Sequence, residues 1–142
     1  MKKYIITILI LIAIVISSVM YAYNTYKYNI QDLKNYNNEF TKYENTEIVG
    51  TEIATILNKA VNNDEQNNVN KDEQGMYIEN DENSIKIDIY IKDNDTTYSM
   101  EKIYNMGVEK FINSFSLETF KITETQYHNK TGKIKYIKLE QQ

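Results

Sequence analysis

The chain holds a single histidine, His128, and no cysteine. Those two facts decide much of the chemistry open to it. Without thiols there is no disulfide, thiolate nucleophile or thiolate metal site. With one imidazole, a histidine-rich zinc site cannot be assembled. One histidine would suffice for general-base catalysis or a Ser-His-Asp relay. However, His128 opens the run His128-Asn129-Lys130-Thr131-Gly132, which reads as a turn, and no nucleophile-elbow motif is present. His128 is therefore expected to be an exposed polar turn residue.

Carboxylates are plentiful, so composition alone leaves a two-carboxylate glycosidase site open. The acids concentrate in loops, and there is no tryptophan to stack on a sugar. The four glycines form no phosphate-cradling loop. Two stretches offer oxygen ligands: residues 62–74, NNDEQNNVNKDEQ, and Asp93-Asn94-Asp95. The first lacks the alternating ligands, central glycine and terminal Glu of an EF-hand loop. Turn chemistry accounts for the second. No catalytic, cofactor-binding or metal-ligating residue is assigned, no cofactor is expected, and the chain is not expected to be an enzyme. The one unusual abundance is tyrosine, with 13 residues. Tyrosine suits interaction surfaces, although core packing and a codon bias toward AT account for it more simply.

The elements that would position these side chains begin with Tyr4 to Tyr23, YIITILILIAIVISSVMYAY, which carries no charge. A helix of about 20 residues spans about 30 Å, the thickness of a bilayer's hydrocarbon core. Lys2 and Lys3 precede it, which places the N-terminus in the cytoplasm by the positive-inside rule. Tyr21, Tyr23, Tyr26 and Tyr28 crowd the far end, where amphipathic rings favour the interface. A cleaved signal peptide would have a shorter apolar run and a small-x-small site, whereas Met20 lies two positions before Ala22. The expected layout is a cytoplasmic segment 1–3, a transmembrane helix 4–23, a helical stalk 24–45 and an extracytoplasmic domain 46–142.

Tyr26, Ile30, Leu33 and Phe40 make a helical stripe in the stalk, able to pack on the domain or to pair as a short coiled coil. Gly50 interrupts, and Thr51 is the expected cap of a second helix. Val49, Ile53, Ile56, Leu57, Ala60 and Val61 form its apolar face. Residues 62–74 have no apolar periodicity and read as a loop.

Met76 to Glu79 is a short strand candidate. Ser84 to Lys92 is the clearest one, with Ile85, Ile87, Ile89 and Ile91 on one face and Lys86, Asp88, Tyr90 and Lys92 on the other. A further strand is expected near Thr96–Met100. Glu101 to Phe115 is a helix that Gly107 interrupts, with Val108, Phe111, Ile112 and Phe115 as its stripe. Phe120 to Tyr127 and Lys133 to Leu139 form a hairpin. The expected fold class is α+β, an antiparallel sheet packed against one or two helices.

The order of an apolar N-terminal helix, an amphipathic helix and a sheet resembles type IV pilin-like proteins, which implies a subunit of a secretion or surface-fibre system. Those proteins carry a glycine-containing peptidase site before the apolar segment and a Glu soon after its start. Here Met1-Lys2-Lys3-Tyr4 stands in that place and the first acid is Asp32. Phe40, Tyr43, Gly50, Thr51, Ile53, Leu57 and Asn62 resemble, in texture, small membrane-anchored proteins of low-GC Gram-positive bacteria such as clostridia. That resemblance implies no particular activity.

With a net charge of -4, the chain lacks the clustered cations that nucleic acid requires. The expected partners are the membrane, through the N-terminal helix, and other envelope proteins or a second copy of the chain. The expected role is that of a membrane-tethered structural or interaction module.

Overall fold

Nothing in the sequence from Lys2 to Val49 breaks a helix: the chain has no proline, and its first glycine is Gly50. A computed structural model describes residues 2–142 and shows the consequence. Helix α1 runs without interruption over Lys2–Thr41, 40 residues. The stalk expected over 24–45 is thus helical to Thr41, and then turns through Asn45, whose φ is 61°. The chain divides into two compact units, Met1–Tyr36 and Asn37–Gln142.

In the first unit, α1 is long and apolar enough to cross a membrane. The isoleucines, leucines and valines between Tyr4 and Tyr23 are all exposed, as are Tyr21, Tyr23, Tyr26 and Tyr28, whereas Ile30 and Leu33 further along are half-buried. Ser17 and Ser18 lie within the apolar stretch. Each hydroxyl donates back to a carbonyl one turn earlier, Ala13 O at 2.7 Å and Ile14 O at 2.8 Å. Polar groups in hydrocarbon need such internal partners.

The second unit is α+β. Strand β1 (Ile48–Val49) leads into α2 (Gly50–Gln66) and β2 (Lys86–Ile91). A short 3-10 turn then leads to β3 (Thr96–Ser99), α3 (Met100–Met106) and α4 (Val108–Phe115). The hairpin β4 (Thr119–Tyr127) and β5 (Ile134–Gln141) completes it. Gly107, at φ 94°, separates α3 from α4, as its position suggested.

The sheet order is β1-β4-β5-β2-β3. The antiparallel expectation needs one correction. β2 and β5 pair in parallel at the centre, from Lys86↔Tyr136 to Tyr90↔Glu140, so the sheet is mixed. The cause lies in the connections. Following the pairings, β1 points the same way as β2, and β3 the same way as β4. Strands that point the same way need a crossover, usually helical. Helix α2 supplies one, and α3 with α4 supply the other.

Both crossovers lie on one face of the sheet, where α2 packs on α4 and both α2 and α3 pack on β2. That face carries the core: Ile87, Ile89 and Ile91 of β2, Ile137 and Leu139 of β5, and Phe120 of β4, all 1% exposed or less. They meet Ile53, Ile56, Leu57, Ala60 and Val61 of α2, all buried. Phe40, the last member of the α1 stripe, is also buried. Next to it Asn37 tethers the helix end to the β4–β5 hairpin. Its amide donates to Gly132 O at 2.9 Å, and its oxygen accepts from the Ile134 N–H at 3.0 Å.

Four further expectations change. Val49 belongs to β1 and is exposed, because α2 begins at Gly50. Thr51 is accordingly not the cap; Glu52 reaches back instead, accepting the Val49 N–H at 3.3 Å. Met76 to Glu79 forms no strand and contributes only a single bridge, Lys71↔Tyr77. Residues 62–66, expected as loop, are the last turn of α2.

Gly50 marks the tightest approach in the core. A Cβ there would lie 1.9 Å from the carbonyl oxygen of Phe115, and the Gly50 N–H donates to Glu118 O at 3.0 Å. Gly50→Ala must push the end of α4 away from α2. Chemical denaturation of the full chain in detergent should show a loss of about 1–3 kcal/mol, whereas Ala at exposed Asn62 should be close to neutral.

Candidate functional site

Asp64, Ser84, Glu101 and His128 are buried polar residues near the start of β2, whereas buried Gln141 lies beside Asp93, past the strand's far end. His128 is not the exposed turn residue expected: it is 3% exposed. Its Nε2 lies 2.7 Å from the carbonyl oxygen of Ser84. A carbonyl only accepts, so Nε2 carries the hydrogen and donates it. His128 reaches this position because the hairpin turn closes on it. Its N–H donates to Lys133 O and its C=O accepts from the Gly132 N–H, both at 2.8 Å.

One residue further along, the Ile85 N–H donates to Asp64 Oδ1 at 2.9 Å. Two side chains from distant parts of the chain thus satisfy the last backbone groups before β2. Sequence reasoning missed Asp64, which is 0% exposed. A signal was present. Asp64 stands four residues after Ala60 and seven after Leu57, on the same helical face.

Asp64 is electrostatically unusual. Burial, the largest influence, pushes its carboxyl up from 3.8 to about 7, and the charge of Glu101 at the start of α3 adds to the rise. The Ile85 N–H, the Asn63 amide and the Lys71 ammonium oppose it. Asp64 Oδ2 and Glu101 Oε2 are both buried without a hydrogen-bond partner. The other Glu101 oxygen accepts the Tyr77 N–H at 3.4 Å. Lys71 places its ammonium 4.4 Å from the centre of the Tyr77 ring. Among the described residues, no three His, Asp or Glu side chains gather as a cage for a metal ion.

A second feature is the sheet face that no helix covers. Register sorts its residues into rows across the strands. One row runs Ser99, Asp88, Lys138, Glu124; a second runs Thr97, Tyr90, Glu140, Lys121; a third holds Lys86, Tyr136 and Gln126. The rings and charges are tied together. The Tyr136 hydroxyl donates to Asp88 Oδ2 at 3.2 Å and the Tyr90 hydroxyl to Asp95 Oδ1 at 2.9 Å. Lys138 pairs with Glu140 at 2.7 Å and stands 5.7 Å from the centre of the Tyr90 ring. Partial burial, and then the Asp88 charge, push the Tyr136 phenol up to about 12, so the ring stays neutral and keeps its proton.

The acidic triplet Asp93-Asn94-Asp95 serves this region as turn structure. Gln141 donates to Asp93 Oδ2 at 2.8 Å, and Asp95 adopts φ 50°. On the helical side, a shallow groove of about 470 Å³ is lined by Tyr98, Met106, Lys110, Phe111 and Phe115 among others. Leu117 beyond it is 93% exposed.

What these sites define is an α+β domain with a charged, tyrosine-bearing sheet face and two buried carboxyls, Asp64 and Glu101. No protein family, curated protein or solved structure matches the chain, so its own geometry carries the functional argument.

His128→Ala would strip the Ser84 carbonyl of its partner and leave a void. The expected cost is about 1–3 kcal/mol, with faster amide exchange at Ile85 and Lys86, read by exchange mass spectrometry. Tyr127→Ala, at the exposed neighbouring position, should cost less and leave those amides protected.

Proposed function

We propose that the chain is a membrane-tethered module whose domain lies outside the cytoplasm and acts by binding protein rather than by catalysis. The observation that carries this reading is the uncovered sheet face. It presents Tyr90 and Tyr136 held rigid by hydrogen bonds, together with both signs of charge in fixed rows. Tyrosine supplies large contact area at little entropic cost, and charge rows set register and partner choice. The lysines ahead of the apolar segment of α1 support an N-terminus on the cytoplasmic side.

The absence of cysteine makes both halves of the reading easy to test. A Thr131→Cys variant should react with a membrane-impermeant maleimide in intact cells; labelling only after lysis would overturn the topology. A photocrosslinker at Thr97 or Gln126, on the open face, should give discrete protein adducts in intact cells. Lys138→Glu should abolish them, and a crosslinker at Asn62 should not reproduce them. Adducts insensitive to Lys138, or none, would remove the interaction reading.

The unbroken α1 followed by an α+β domain favours one second reading, a pseudopilin-like subunit of a secretion or surface-fibre system. That reading requires processing near the apolar segment. A mature protein whose measured mass retains Met1-Lys2-Lys3 would reject its conventional form.

A further inference from the structure

The open sheet face carries two charges of opposite sign that the domain leaves unmatched. Among the described residues, neither Lys86 nor Asp88 belongs to an ion pair. Both stand on β2, two positions apart, Lys86 exposed and Asp88 half-buried. Asp88 accepts the Tyr136 hydroxyl, a neutral group.

Their neighbours on β5 are of the opposite kind. Lys86 is level with Tyr136, Asp88 with Lys138 and Tyr90 with Glu140. The three rows thus read cation beside ring, anion beside cation, and ring beside anion. Now let a two-fold axis run parallel to the strands, above the face and midway between β2 and β5. It brings a second copy face to face with the first, keeps every row, and exchanges the two strands. β2 of each copy then lies over β5 of the other. Asp88 faces Lys138, Lys86 faces the Tyr136 ring and Tyr90 faces Glu140, each contact occurring twice, as an isologous interface requires. The flanking strands follow, because β3 comes to lie over β4. Ser99 faces Glu124 and Thr97 faces Lys121. No like charges meet.

We propose that the open face is self-complementary and that the partner it takes is a second copy of this chain, docked sheet against sheet about that axis. The inference rests on the reading of the face as a protein-docking surface, and it names the occupant.

The order of charges selects the axis. A two-fold running across the strands through the Asp88 row would set Asp88, Lys138 and Glu124 each against itself. An axis directly above β2 would oppose Asp88 to Asp88, and one above β5 would oppose Lys138 to Lys138. An axis between β4 and β5 does oppose unlike charges, Lys138 to Glu124 and Glu140 to Lys121, but it leaves Lys86, Asp88 and all of β3 uncovered. The axis between β2 and β5 alone covers the four longer strands and gives both unmatched charges a partner.

The area sets the strength. Strands about 4.8 Å apart and rows about 6.7 Å apart give a contact of roughly 350 Å² a side, against about 800 Å² per partner in a stable complex. The pair is therefore weak, and charge decides its partner and register.

The test uses the full chain in lipid vesicles, and it starts from a sequence without cysteine. A Ser99→Cys copy mixed with a Glu124→Cys copy should give a disulfide-linked dimer under mild oxidation. Either copy alone should not, because each position faces the other and lies strands away from its own image. Charge variants then check the register. Lys138→Glu carried on both copies should cut the yield about tenfold, as should Asp88→Lys carried on both. Lys138→Glu on one copy with Asp88→Lys on the other should restore it, since the two altered positions face each other and so do the two native ones. That restoration also shows that both variants fold. A mixture linked no better than its single components would overturn the second copy as occupant, and so would a yield indifferent to the charge variants. In that event, photocrosslinks from Thr97 to a different protein would leave the docking reading of the face standing, whereas an absence of adducts would remove both.

Discussion

The parallel pairing of β2 with β5 is the constraint on which the rest of the domain depends. A hairpin forms its own register, but β2 and β5 lie far apart in sequence and no turn aligns them. Something must fix where β2 begins. Two buried side chains do so: His128 holds the Ser84 carbonyl and Asp64 holds the Ile85 N–H. One comes from the end of β4 and the other from the end of α2. Together they position β2 relative to both the sheet and the helical layer, just ahead of its first ladder residue. A slip of one residue would turn Ile87, Ile89 and Ile91 to the wet face. The polar contacts therefore protect the largest apolar commitment in the domain.

This arrangement also explains why the polar residues are buried at all. A hydrogen bond contributes modestly in net terms, but an orphaned backbone group at the start of a buried central strand is expensive. The Ser84 carbonyl and Ile85 N–H lie outside the ladder, so side chains must serve them. Satisfying them brings a carboxylate inside. The carboxylate has two oxygens and the strand offers one donor, which leaves Asp64 Oδ2 without a partner. The stored electrostatic cost is thus a by-product of securing the strand. Glu101 brings its own buried oxygen to the same region because α3 packs on β2.

Much of this fold was legible in the sequence because its signals are local. The charge-free run from Tyr4 reads as a bilayer-length helix, the isoleucine alternation of β2 reads as a half-buried strand, and Gly107 reads as a break. The hairpin of β4 and β5 follows from its turn. What was not legible is long-range. The parallel pair arises from two helical crossovers, and β1 is too short, at two residues, to leave a periodic trace. His128 looked like a turn residue, which locally it is; only the approach of Ser84, 44 positions away, buries it. Asp64 lies between the two cases. The run from Asn62 is polar, yet the helical phase set by Leu57 and Ala60 continues through it to Asp64.

The two faces of the sheet divide the work. The helical face carries the apolar contacts, and its polar residues are few: His128 and Asp64 each serve a backbone group, while Asp64 Oδ2 and Glu101 Oε2 stay unmatched. The open face carries almost no aliphatic surface, and its order comes from rows of rings and charges. Lys138 meets a carboxylate and an aromatic ring at once, and partial burial, with the Asp88 charge beside it, keeps the proton on Tyr136. Exposed ion pairs of this kind add little to stability, so the face is not explained by what it does for the fold. Rigid rings and fixed charges that do little for folding are what a docking surface requires, since the ordering cost is met before a partner arrives. In the proposed reading of α1 as a membrane tether, that cost would fall further, because two proteins confined to one membrane meet at a raised effective concentration. A modest contact area on the open face would then be enough.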